Sequence, residues 1–187
     1  MRDAALSPVL ERLAEIMEWS KPFDHGTGTI RRGRGLAIGF KASIAPTTSV
    51  AMVTVHAGGG CTVTCGTVDM GQGSDTMMAM IAGEVLGLPL GSVKVVHPDT
   101  DVTPYDMATL GSRSTYHMGN AVRRAAEDAR DKVRALGREV GLPDDASIED
   151  VFKKRYGMKA GTIVGTGQFV PSYAPTDHAT GQSADVT

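Results

Sequence analysis

The chain has 187 residues, 41% of them hydrophobic and 21% charged, with a net charge of −2. That length buries about 70% of the unfolded surface around a real core, and the charge balance leaves neither a basic field for nucleic acid nor an acidic tail. The longest apolar runs fall far short of the roughly 18 residues of a membrane span, so no span is expected, and the acid-bearing N-terminus reads as an amphipathic helix instead of a signal peptide.

Residues 8–20 set Val9, Leu10, Leu13, Ile16, Met17 and Trp19 on one broad face and predict that helix. Arg31, Arg32 and Arg34 follow in a glycine-rich connector, as solvated charges or as contacts to another segment. Residues 36–40 predict a short buried strand. Alternation over 49–56, then "AGGG", then a β-rich run over 61–68 predicts a hairpin. Cys61 and Cys65 then share a strand face with Cα atoms about 13 Å apart. A disulfide needs about 7 Å or less, so buried structural thiols are expected ahead of a metal site or redox pair.

A helix is expected over about 75–86, capped by Ser74 and stopped by Gly87 and Pro89. Residues 92–97 read as a strand. A long polar loop leads to a helix over 116–138, with Val122, Ala125, Ala126, Ala129, Val133 and Leu136 at helical spacing. Ser147 and Asp150 resemble a capping box for a helix over 147–156, and 161–170 predicts a final strand. Residues 171–187 carry no periodic signal and read as a disordered terminus or as a loop that continues beyond this chain. The order of elements predicts an α+β fold, a mainly antiparallel sheet with helices packed on one face.

Two polar loops stand out. The first is Met70-Gly71-Gln72-Gly73, followed by Ser74, Asp75 and Thr76. Glycines there permit close approach, the following helix aims N–H groups at the loop, as suits an anion, and Gln72 both donates and accepts. The plainer reading is a strand-to-helix turn with glycines for packing. A dinucleotide fingerprint is weak, since Thr76 stands where a third glycine belongs and the preceding strand is expected to be a hairpin arm outside any βαβ unit. The second loop is Gly111-Ser112-Arg113-Ser114-Thr115, with hydroxyls, backbone N–H groups and a guanidinium ahead of a helix. Its plainer reading is a helix cap with a surface arginine. Asp99, Asp101 and Asp106 lack the pattern of an EF-hand. His25, His56, His97, His117 and His178 show no metal-ligand spacing and are expected to be structural or surface residues.

Taken together, "GRGLAIGFK", "GTVDMGQGSDTMMAMIAGEVLGLP" and "VVHPDTDVTPYDMATLGSRSTYHMGNAVRRAA" resemble the molybdenum-cofactor-binding subunit of the xanthine oxidase family, which includes aldehyde oxidase and carbon monoxide dehydrogenase. The resemblance covers roughly residues 8–187. It implies a molybdopterin pocket with Met70, Gly71, Gln72 and Gly73 on one side and Gly111, Ser112, Arg113, Ser114 and Thr115 on the other, with Gln72 and Gly111 near molybdenum. It further implies hydroxylation of a small-molecule substrate with water, a cofactor possibly in the cytosine dinucleotide form, and iron–sulfur clusters and FAD on partner chains in a cytoplasmic complex. Residues 1–30 then form an N-terminal helix and connector, 31–170 a partial molybdopterin-binding domain, and 171–187 a tail or truncated loop. The family's upstream Gly-Gly-x-Phe-Gly loop, its cofactor arginine and its downstream glutamate base find no match here, so no catalytic base is assigned. The remainder of the molybdenum subunit, or a second chain, is the expected partner. A remnant that keeps the fold without cofactor is the alternative, and a generic nucleotide-binding module, which needs a parallel βαβ unit around Gly73, is a third reading.

Overall fold

The computed structural model describes residues 6–39, 47–157, 161–172, 176–177, 179 and 182–183. Contacts divide the chain into two units, Met1–Phe40 and Lys41–Thr187. In the first, the amphipathic stretch forms α1 (Leu6–Ile16). Arg34 donates to the carbonyls of Met17, Glu18, Trp19 and Lys21 just beyond that helix. Its guanidinium lies 4.9 Å from the Trp19 ring centroid and 5.0 Å from that of Phe23, a cation–π contact. Of the two readings of this arginine, contact to another segment is the one observed. The strand expected over 36–40 does not form over 36–39, where Leu36 and Ile38 stay exposed; Phe40 lies outside the described residues.

The second unit is built on a four-stranded sheet in the order β3-β2-β1-β4. The predicted hairpin is β1 (Ser49–His56) and β2 (Cys61–Cys65), antiparallel, with Val53 opposite Val63. Period-2 alternation sends Ala51, Val53, Val55, Cys61, Val63 and Cys65 into the core. β4 (Thr162–Phe169) pairs antiparallel with β1 along its length. The chain leaves β2 through a loop, runs along α2 (Ser74–Leu86), turns through a short 3₁₀ segment and returns as β3 (Val93–Val96) parallel to β2. The expectation that the strand before Gly-Gln-Gly lies outside any βαβ unit is therefore overturned. β2 is both a hairpin arm and the first strand of a βαβ crossover, because two half-buried strands alternate alike whichever way they pair.

The buried stripe of α3 (Gly119–Glu139) packs on the sheet with α2. Gly165 and Gly167 on β4 make this possible. A Cβ at either position would run into the backbone of α3, against the carbonyls of Ala125 and Ala121. Helix and strand thus meet backbone to backbone. Three polar side chains of α3 close the outer edge of β4: Arg124 donates to the Gln168 carbonyl (2.7 Å), Lys132 to the Val164 carbonyl (2.9 Å), and Asp128 accepts from the Thr166 N–H (2.8 Å). Edge groups left open invite foreign strands; here three of them are taken. α4 (Ile148–Tyr156) starts at Ser147, whose Oγ accepts from the Asp150 N–H at 3.1 Å.

The helix expected from 116 begins instead as a π-helical turn over Ser114–Met118, continuous with α3. Ser74 does not cap α2: Gly73 stands at the N-cap with φ 80° and Ser74 is the first helical residue. In the region expected to lack an element, β5 (Thr176–Asp177) and β6 (Gln182–Ser183) pair antiparallel. Two residues per strand are too few for a periodic signal. Cys61 and Cys65 are buried and unpaired, as expected.

Candidate functional site

The first loop leaves β2 at Gly66 and enters α2 at Gly73. The free amides at its helix end are largely engaged by the chain's own carboxylate. Asp69 accepts from the N–H groups of Gly71 (2.8 Å), Asp75 (3.1 Å) and Gly73 (3.4 Å). The bond from Asp75, then that from Gly71, hold its carboxyl below the usual carboxylate range. A negative side chain at a helix N-terminus is well placed. Gln72 closes the rest of the loop: its Oε1 accepts from the Met70 N–H at 2.5 Å, and its Nε2 donates to the Val68 carbonyl (2.9 Å) and Ser74 Oγ (2.6 Å).

The second loop is tied to the first by Thr109, whose Oγ1 accepts from the Val68 N–H at 2.7 Å. Gly66 lets the two come together, since a Cβ there would lie 2.6 Å from that of Asp106. Gly111 and Ser112 take left-handed backbone at φ 60° and 55°, a conformation uncommon for serine. The π turn that follows keeps Ser114 and Thr115 on the surface while His117 and Met118 are buried. π turns of this kind are frequent at functional sites. Thr115 Oγ1 donates to Met77 Sδ at 2.8 Å, which links this turn to α2.

Between the loops lies an open cleft of about 460 Å³, lined by Met70, Gln72, Ser74, Met77, Thr109, Leu110, Gly111, Ser112, Ser114 and Thr115. Six of the nine residues singled out in the sequence line it. Gly71 and Gly73 do not line it; both are exposed, in positive-φ backbone, with nothing within 4 Å of an added Cβ. Arg113 points the other way. Its side chain is 1% exposed, as is that of Asp106, to which it donates at 2.5 Å. It also donates to Ser49 Oγ (2.7 Å) and to the carbonyls of Ala108 (3.0 Å) and Thr48 (3.2 Å). The cleft therefore presents hydroxyls, one amide, backbone and methionine, and no ionised side chain. Ser74, Met77, Thr109 and Leu110 were not singled out as site residues. Ser74, directly after Gly-Gln-Gly, and Thr109, a hydroxyl two residues before Gly-Ser-Arg, had local signals; Met77 reaches the cleft only through the placement of α2.

Behind the cleft, His117 is 1% exposed. Burial, then the Arg113 charge, push its pKa below the ordinary value, and Asp106 partly opposes them. Among the described residues no group of three or more His, Cys, Asp or Glu is arranged to hold a metal ion, and no helix is long and apolar enough to cross a membrane.

A hydrogen-bonding cleft thus lies between a βα loop and a π turn on this sheet. The chain belongs to the molybdopterin cofactor-binding domain family, whose model matches residues 9–185. It is 32% identical to a probable hypoxanthine oxidase of Escherichia coli K12 over 91% of its own length, and 32% identical to a putative xanthine dehydrogenase molybdenum-binding subunit of the same organism over 71%. Those alignments cover 20% and 19% of the two relatives, so the chain spans about one fifth of the curated proteins it matches. Among solved structures, the aldehyde oxidoreductase of Desulfovibrio desulfuricans aligns with TM-score 0.57 at 27% identity, over 78% of this chain and 15% of that one. A carbon monoxide dehydrogenase of Oligotropha carboxidovorans shares the fold at TM-score 0.57 and 20% identity, over 66% of this chain and 18% of that one.

Proposed function

We propose that this chain forms one wall of the molybdopterin pocket of a cytoplasmic molybdenum hydroxylase, with the rest of the pocket supplied by the remainder of the family's length or by a second chain. The observation that carries this reading is the convergence of Gln72 with Gly111, Ser112, Ser114 and Thr115 on one cleft. The donor set suits a heterocycle rich in N–H and C=O groups: hydroxyls and the Gln72 amide both donate and accept. Gly71 and Gly73 leave the backbone approachable. When bound, the cofactor, possibly in its cytosine dinucleotide form, would supply the redox chemistry that oxidises an aldehyde, N-heterocycle or related carbon centre with water. The protein's share is binding and orientation. Ser112, Ser114 and Thr115 would offer a wall of hydroxyls, Gln72 and Gly111 would lie nearest the metal, and Met70, Met77 and Leu110 would supply apolar contact. Arg113 serves from behind the wall. The catalytic base, the iron–sulfur clusters and FAD are assigned to partner segments and chains.

A second reading is favoured by one observation: Gln72 makes both Nε2 donations and one Oε1 acceptance within its own loop. On that reading the loops are scaffolding that keeps the fold and binds no cofactor. The two are separated by measuring pterin released from the complex co-purified with its neighbouring chains, for wild type and for Ser112→Ala combined with Ser114→Ala. Pterin in the wild type that falls several-fold in the variant, with the fold intact, supports the pocket. Equal traces in both support the scaffold.

A further inference from the structure

The buried polar cluster behind the second loop has no part in lining the cleft, yet it is a dense set of charge-assisted bonds among the described residues. Arg113 engages Asp106, Ser49 and two backbone carbonyls, with its own side chain and that of Asp106 each 1% exposed. Ser49 Oγ also donates to Asp106 Oδ1 at 2.8 Å, and the backbones of Ser49 and Asp106 form an isolated antiparallel bridge. So one end of β1 is clamped to the polypeptide on both sides of residues 107–112. Within that clamped span sit Gly111 and Ser112 in left-handed backbone. A serine there persists only where surrounding contacts over-determine it, and the adjacent Arg113 is the strongest such contact.

We propose that the buried Arg113–Asp106 pair, braced by Ser49, is a positioning device that holds Gly111 and Ser112 in left-handed backbone and so sets the hydroxyl wall against the Gly-Gln-Gly loop. This deepens, and rests on, the cofactor reading of the same cleft. It assigns Arg113 a role through the backbone instead of through contact with an anion. A planar fork meeting a carboxylate, a hydroxyl and two carbonyls at fixed angles is a task an ammonium does not reproduce.

The test uses the full chain in its co-purified complex, as wild type, Arg113→Lys, Asp106→Asn and the milder Ser49→Ala, which keeps the pair and removes one brace. Hydrogen exchange is followed over 107–115 and over α3, and molybdenum is counted per folded chain. In the two pair variants exchange over 107–115 should rise about tenfold while α3 keeps its protection. Ser49→Ala should raise loop exchange less, in the same place, and remains informative if the pair variants do not fold. Molybdenum retention should fall with loop order. Loop exchange unchanged in folded variants, or a uniform loss of protection that includes α3, would overturn the proposal. Wild-type complex without molybdenum would sink the cofactor reading alone, since the exchange pattern still decides the clamp.

Discussion

Gln72 holds its loop by three bonds at once, to Met70, Val68 and Ser74. Each net bond contributes about 1 kcal/mol or less in an exposed loop. Gln72→Ala is expected to lower stability by about 1–2 kcal/mol in urea unfolding, beyond any effect on cofactor. Burial raises the thiols of Cys61 and Cys65 to about 11, so both should resist thiol reagents at pH 8 in the native chain and react fully once it unfolds. His117 is harder to protonate folded than unfolded. The unfolded chain therefore binds the extra proton below about pH 6.5, and stability falls as pH drops from there. Asp69 and Asp128 act in the same direction at lower pH. Backbone N–H bonds lower the first, and Lys132 with the Thr166 N–H lowers the second. Their contribution is full above the unfolded carboxylate range and is lost as pH falls through the folded values. His117→Gln should flatten the decline in melting temperature between pH 7 and 5 and leave the steeper limb below pH 4 in place.

β4 and α3 meet backbone to backbone at two glycines. Gly165→Ala or Gly167→Ala puts a methyl into the backbone of α3, and each should cost about 3 kcal/mol or more, read as a shift in denaturant midpoint. The hairpin was legible in the sequence because alternation around Val53 and Val63 marks a half-buried strand. The parallel return of β3 was not, since "SVKVVH" alternates the same way for either partner direction. The start of α3 was placed from apolar spacing, which a π turn over Ser114–Met118 preserves on its buried side while shifting hydroxyls outward. Both site loops were legible through glycine and hydroxyl clusters. The inward turn of Arg113 was not, because its partners Asp106 and Ser49 share no periodic relation with it. Asp69 was likewise passed over: its carboxylate caps α2 from outside the helix, at no fixed capping offset.

For the whole molecule, the notable feature is an open cleft with exposed apolar side chains on its loops. Val68, Met70, Tyr105, Met107 and Leu110 are all exposed on the two cleft loops. On the proposed reading, a partner segment covers these side chains. The matched hypoxanthine oxidase relative runs about five times the length of this chain. The account rests on that pocket being completed by a partner segment and filled by the cofactor. The most direct measurement is elemental analysis of the complex purified with the chains encoded beside this one. Molybdenum in proportion to folded chain is the expected result. A well-folded, stable complex devoid of molybdenum, prepared from cells that load other molybdenum enzymes, would contradict it.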